Sequence, residues 1–332
     1  MKKLVYLLTT LLLAAAPLAF SGCGQPQAKE SPTADAAPIR TVRIAYLPIT
    51  HALPLFAAHE LETPDGPVHI ELIKYGSWPE LMDALNTGKV DGASVLIELG
   101  VKAREQGIDL RAAALGHKDG NVIITNPSIE NITDLKGTTF AIPHKQSSHK
   151  LLLDQLLASA GMTEADLKVV ELSPPEMPAA LAQGQIAGYC VAEPFGAKSV
   201  MLGTGKVFAR SDELWQDSLC CALVFNGTFL DQHHELAQAF TQQYKKAGQY
   251  LTANPEEARR IAAKYLKAKD TVLALSMQWI SYDDLTIQED AYHELLRRMK
   301  DANLIQSEPA YEDFVDRSLL DENDTTTAAN HL

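Results

Sequence analysis

The spacing of apolar and polar positions changes repeatedly from residue 41 onward. Thr41 to Tyr46 reads as a strand, residues 52–60 as a short helix, and Val68 to Lys74 alternates as a second strand. Trp78, Leu81, Met82 and Leu85 then fall at i, i+3, i+4, i+7, one face of a helix that Gly88 ends. Val90 to Val95 predicts a strand, Leu96 to Gln106 a helix, and Leu110 to Leu115 another strand. Such alternation builds a parallel sheet covered by helices.

The same order recurs. Asn121 to Thr125, Thr138 to Ile142, Leu167 to Leu172 and Gly188 to Val191 predict strands. Between them, Ser148 to Ala160 forms a helix whose stripe is Leu152, Leu153, Leu156 and Leu157. Ser173 and Glu176 have the spacing of a capping box at a helix start. Val207 to Arg210 and Leu219 to Phe225 add two more strands. From His233 the pattern is almost wholly helical, and Asn254-Pro255 marks a helix start with Asn as cap. The expected fold is α/β and bilobed: two parallel-core sheets flanked by helices, with a hinge between the lobes. Residues 41–122 and 222–320 form lobe I with the helical C-terminal portion, and 123–221 form lobe II. Ligands of open α/β sheets sit beyond the carboxyl ends of the strands, so two facing lobes define one cleft.

The chain before residue 41 changes the picture. Met1-Lys2-Lys3 supplies positive charge, an apolar run extends from Leu4 to Phe20, and Ser21-Gly22-Cys23 follows. This describes an export signal over 1–22. The small residues before Cys23 resemble a bacterial lipobox, so Cys23 is the expected lipidation site and acyl chains the expected membrane anchor. The plainer alternative is an ordinary secretory signal with a chance cysteine. Residues 23–40, rich in Pro, Ala and polar groups, read as a flexible tether, and 321–332 as a disordered tail.

Composition narrows the partners. The formal charge of −13 argues against nucleic acid, whose binding needs basic patches. Cys190, Cys220 and Cys221 remain besides Cys23, none at CxxC or metal-ligand spacing, so no metal site is expected. HExxH, GxSxG and a Gly-rich phosphate loop are all missing from the sequence. No nucleophile, base and orienting group assemble from spacing, so the expectation is no enzyme and no cofactor.

Several motifs in order carry a family likeness. They are Val42-Arg43-Ile44-Ala45-Tyr46-Leu47-Pro48-Ile49-Thr50-His51, Ser77-Trp78, Val90-Asp91-Gly92-Ala93, Ser147-Ser148-His149, Ser173-Pro174-Pro175-Glu176-Met177, and Gly188 through Ala192 into Glu193-Pro194-Phe195. Together they resemble the nitrate/sulfonate/taurine (thiamine-precursor-synthase-like) family of periplasmic binding proteins that serve ABC importers. The last two lean toward the nitrate-binding branch, which usually has Gly and then Glu-Pro-Trp where this chain has Ala192 and Glu193-Pro194-Phe195. The resemblance implies the type II bilobed fold and an extracytoplasmic monomer. It also implies a small, anionic solute as ligand, and permease and ATPase subunits as partners. A pyrimidine-precursor-like solute and a solute-sensing role beside a receptor are the alternatives.

Candidate ligand-binding residues follow from strand-to-helix junctions. Thr50 and His51 precede the first helix, where free N–H groups favour an anion, although Thr50 serves equally as a cap. Trp78 either walls the ligand or belongs to its helix's apolar stripe. Ser94 ends the third strand. Ser147, Ser148 and His149 form a polar cluster at a helix start, with capping as the plainer role. Glu193 begins the last helix of the second lobe and accepts from an amine or orients a neighbour.

Overall fold

The structure, a computed structural model, describes residues 41–320. The export signal, Cys23, the tether and the tail lie outside the described residues. The strands are β1 (Thr41–Tyr46), β2 (His69–Lys74), β3 (Gly92–Leu96), β4 (Leu110–Leu115), β5 (Lys118–Asp119) and β6 (Asn121–Thr125). They continue with β7 (Thr139–Ile142), β8 (Lys168–Glu171), β9 (Gly188–Ala192), β10 (Lys206–Arg210), β11 (Cys221–Asn226) and β12 (Ile280–Ser281). Two five-stranded sheets result, in the orders β2-β1-β3-β11-β4 and β10-β6-β9-β7-β8. Read from the other edge, the second is β8-β7-β9-β6-β10, the same arrangement as the first.

Each sheet departs from the expected parallel core in one strand. In the first, β1 pairs parallel with β2 and β3, but β11 runs antiparallel to both β3 and β4. In the second, β7 is parallel to β8 and β9, but β6 is antiparallel to β9 and β10. The antiparallel strands are those by which the chain crosses between sheets. Each therefore starts where its neighbours end: Cys221 pairs with Leu96, and Asn121 with Ala192. Residues at the head of a crossing strand thus join the carboxyl-end edge of the sheet, where ligands bind. The short pair β5 and β12 ties the first crossing to the C-terminal portion.

The helical stripes are buried as the sequence predicts. Trp78, Leu81, Met82 and Leu85 lie inward on the helix Trp78–Asn86, and Leu152, Leu153, Leu156 and Leu157 on Ser148–Ser159. The long helix Gly227–Ala253, kinked at His233, packs on Leu53–Glu60. Two expected helix starts differ. Ser173 and Glu176 do bond, but the helix begins only at Met177. Asn254 gives no side-chain cap; its Nδ2 donates back to the Tyr250 carbonyl at 2.9 Å, and Pro255 alone opens the helix.

Phe140, fully buried on β7, fills the space beside Gly188, where a side-chain carbon would come within 2.8 Å of the ring. Phe140→Ala is expected to cost about 3–5 kcal/mol, read from urea unfolding.

Candidate functional site

Four side chains from distant parts of the chain meet at the carboxyl-end edge of the first sheet. His51 lies in the turn Thr50–Ala52 that follows β1. His117 lies in the crossing just after β4. Cys221 is the first residue of β11, and Cys220 precedes it. All four are buried, and one ligand atom from each falls within 4.8 Å of the others. The crossing can approach the His51 turn only because residue 116 is glycine; a side-chain carbon there would lie 2.6 Å from the His51 carbonyl oxygen.

Three of the separations match edges of a tetrahedron around a metal ion. Cys220 Sγ is 3.8 Å from Cys221 Sγ, and His51 Nδ1 is 3.6 Å and 3.5 Å from those sulfurs. For zinc at about 2.3 Å from sulfur and about 2.05 Å from nitrogen, tetrahedral edges are about 3.8 Å for S–S and about 3.6 Å for S–N. The His51 tautomer fits as well. Its Nε2 lies 3.1 Å from the Gly120 carbonyl oxygen, which only accepts, so Nε2 carries the proton and Nδ1 presents its lone pair to both sulfurs. The His117 ring stacks on His51 with centroids 3.5 Å apart. Its Nε2 lies 3.4 Å from the Cys221 backbone N, at the long limit of a hydrogen bond. Two thiols and two imidazoles suit zinc or another soft divalent cation better than a hard one.

Electrostatics prepare this set for a cation. Burial pushes His117 down to about 4, with His51 adding to the effect, so its imidazole is neutral at neutral pH. Burial alone would raise the Cys220 thiol. The hydrogen bond from Cys221 leads the opposing effects, and Cys220 is held well below the usual thiol range. Cys221 is pushed well above by burial and by its neighbour. One sulfur therefore reaches thiolate first, as a ligand must.

A second group of buried polar atoms flanks Cys220. Among the described residues, both Glu98 oxygens, the Ser148 Oγ and both His149 nitrogens have no partner that meets strict hydrogen-bond geometry. Glu98 is fully buried near the start of Ile97–Glu105; burial lifts its carboxyl well above the usual range, with Cys220 adding. Ser148 lies against that carboxyl, and its hydroxyl and backbone N–H oppose the rise. Burial brings His149 down to about 4, within electrostatic reach of Cys220, His51 and His117.

The sequence-predicted residues divide accordingly. His51, Ser148 and His149 are brought together. Trp78 and Ser94 each keep one unpartnered buried atom, Nε1 and Oγ, while the Trp78 ring packs in the core. Three more of the predicted residues, Thr50, Ser147 and Glu193, make hydrogen bonds within the protein. Thr50 donates from both N and Oγ1 to the Glu193 carbonyl, each at 2.9 Å, linking one half to the other. Ser147 is a cap, donating to the His144 carbonyl and accepting from Lys150 N. The Glu193 carboxyl accepts from Ala197 N with both oxygens at 3.1 Å. Against the expectation of no metal site, His51, His117, Cys220 and Cys221 form a group that could hold a metal ion. His117, Cys220, Cys221 and Glu98 escaped sequence reasoning because no local spacing joins them; the adjacent cysteine pair was the one visible signal.

The sequence model described as the NMT1-like family matches residues 35–267. The chain belongs to that family. Among solved structures it is similar to the ligand-binding component of an ABC-type import system from Staphylococcus aureus with zinc bound. The two are 41% identical with a TM-score of 0.80, over 85% of this chain and 98% of that one. Among curated proteins it is similar to the nitrate/nitrite binding protein NrtA of Nostoc sp., 25% identical over 87% of this chain and 77% of that one. A bicarbonate transport ATP-binding protein, CmpC of Synechocystis sp., matches at 27% identity over 53% of this chain; the matched part is 30% of CmpC's length. These relatives agree with the bilobed periplasmic-binding fold.

Glu193 gives a pH test. Burial raises its carboxyl from 4.5 to about 8 in the folded state, so folding takes up a proton between those values. Stability contributed by the protonated form is present below about 4.5 and is lost as pH rises toward 8. Melting temperature is expected to fall with pH across this window more steeply in the wild type than in Glu193→Gln. Parallel curves would refute this role.

Proposed function

We propose that this chain is the extracytoplasmic solute-binding component of an ABC importer, and that its cleft holds a zinc-like divalent cation on His51, His117, Cys220 and Cys221. The observation that carries the cation is the set of sulfur and nitrogen separations near tetrahedral edge lengths, with His51 locked in the ligating tautomer. The zinc-bound S. aureus relative supports it. Importer function is supported by family membership and by the named transport roles of relatives. Permease and ATPase subunits are the partners in this reading, which takes the chain as a monomer and a binder without turnover. Residues 41–122 with 222–320 move as one lobe, and 123–221 as the other.

A second reading places a small oxyanion of the nitrate or sulfonate kind in the cleft. The unpartnered donors Trp78 Nε1, Ser94 Oγ and Ser148 Oγ favour it, as does similarity to a nitrate/nitrite binding protein.

Metal analysis of protein purified without chelator is expected to find one zinc per chain. Cobalt substitution should give thiolate-to-metal absorption bands that Cys221→Ser weakens. Either Cys221→Ser or His51→Ala should reduce zinc affinity by more than about a hundredfold, since even outer contacts to a metal site are worth 10–100-fold. Unchanged zinc affinity in both variants would exclude this site. Lipid attachment at Cys23 is tested separately by labelling cells with a palmitate analogue. Label is expected in the wild type and absent from Cys23→Ala; equal labelling would refute the anchor.

A further inference from the structure

Three segments meet around a second cavity. The end of β4 and the crossing after it contribute Leu115, Lys118 and Asp119. The stretch from Trp215 to Leu219 comes from the second crossing, and the C-terminal portion adds the start of the helix Glu289–Asp301. The cavity has a volume of about 430 Å³, and none of His51, His117, Cys220 and Cys221 lines it. Trp215, Leu115 and Leu219 are buried and give it an apolar wall, while Asp217 and Asp290 stand exposed at its rim.

Its charge is unbalanced. Lys118 lies 3.9 Å and 3.8 Å from Asp283 and Asp284, and Glu294 is engaged by Arg297 and Arg298, each at 2.7 Å. Asp119, Asp217 and Asp290 form no ion pair with a described residue. Burial raises the Asp119 carboxyl and Asp212 and Asp217 add to the rise, with Lys118 and Arg210 opposing it. Water alone would satisfy acids at a rim. Ser218 is the independent sign of a ligand. It lines the same cavity, is only 7% exposed, and its Oγ has no hydrogen-bond partner among the described residues. A buried hydroxyl without a partner is costly, and its lone pairs suit an ammonium donor.

Size and spacing choose the class of ligand. The volume falls in the range of about 300–1,000 Å³ usual for small-molecule sites. A bare metal ion needs its ligands close together. Among the described residues, only the His51, His117, Cys220 and Cys221 group brings three or more such ligand atoms within 4.8 Å. Each of the three segments supplies one unpaired acid, and with an apolar wall these fit an organic cation charged at both ends. We propose that this cavity binds an aliphatic diamine, its ammonium groups held by Asp119, Asp217, Asp290 and the Ser218 hydroxyl, and its methylenes laid on Trp215, Leu115 and Leu219. The site shares no residue with the cation group and does not depend on that reading. An occupant touches both segments by which the chain crosses between the sheets.

The test titrates 1,4-diaminobutane into the full chain by calorimetry, with butylamine and calcium as comparison probes. Saturable binding of the diamine is expected, about tenfold or more tighter than butylamine, which has a single ammonium group. Ser218→Ala should weaken the diamine about tenfold, because a charged donor loses its buried acceptor. The double variant Asp217→Asn with Asp290→Asn should also weaken it about tenfold, two partly screened charges being lost together. Both acids are exposed, and Asn tolerates the φ of +56° at residue 217, so this variant keeps the wild-type melting temperature when no diamine is present. Absence of saturable diamine binding would overturn the proposal. So would unchanged affinity in both variants, since the amine would then sit elsewhere. Butylamine binding as tightly as the diamine would overturn the assignment of two charges, and displacement of the diamine by equimolar calcium would make the cavity a metal site instead.

Discussion

The carbonyl oxygen of Gly120 is the point on which the site's geometry depends. It accepts from His51 Nε2 at 3.1 Å and from the Glu193 backbone N–H at 3.2 Å. It thereby joins the first β-α junction of one half to the residue that follows β9 in the other. Residue 120 has φ of +80°, a conformation that favours glycine, and a side chain would collide with Ile280. The Thr50 bonds to the Glu193 carbonyl close the same seam. With one tautomer fixed and one ring orientation set, the two sulfurs have a defined lone pair to meet. Without that contact, His51 would be free to present either nitrogen, and the sulfur–nitrogen separations would have no reason to match.

The crossing strands supply the rest of the convergence. In a wholly parallel sheet, the first residue of a strand sits at the edge away from the ligand. Because β11 runs against β3 and β4, Cys221 begins opposite Leu96 and lands at the functional edge. The same inversion puts Asn121 of β6 there, with Oδ1 3.8 Å from Cys220 Sγ. The adjacent-cysteine pair is therefore placed by topology, not by a local motif.

This explains what could be read from the chain. Periodicities of two and 3.6 are local, so the strand and helix order was legible almost throughout, and the Trp78 and Leu152 stripes are buried as expected. The likeness of motif order gave the bilobed fold. Helix starts were less legible at Ser173 and Asn254, whose side chains have alternative partners nearby. Site residues at β-α junctions were half legible. His51, Ser148 and His149 converge, but Thr50, Ser147 and Glu193 are short polar residues whose backbone partners lie within reach, and they hold the structure together. His117 with Cys220 and Cys221 was illegible: two crossings separate the histidine from the cysteines in sequence, and only pairing of β11 with β4 reunites them.

Two kinds of polar burial meet in the cleft, and they differ in what satisfies them. The His and Cys group is partly self-satisfied: the thiols and the His51 imidazole approach one another at hydrogen-bond range for sulfur, and Cys221 stays protonated beside Cys220. Replacing that proton with a cation keeps the same contacts and adds charge neutralisation. Glu98 has Ser148 against its carboxyl, while neither His149 nitrogen has a hydrogen-bond partner among the described residues. A carboxyl buried beside an incipient thiolate is repelled by it, which favours either its protonation or a donor brought from outside. Binding a cation to the sulfurs removes part of that repulsion and so makes Glu98 a better acceptor.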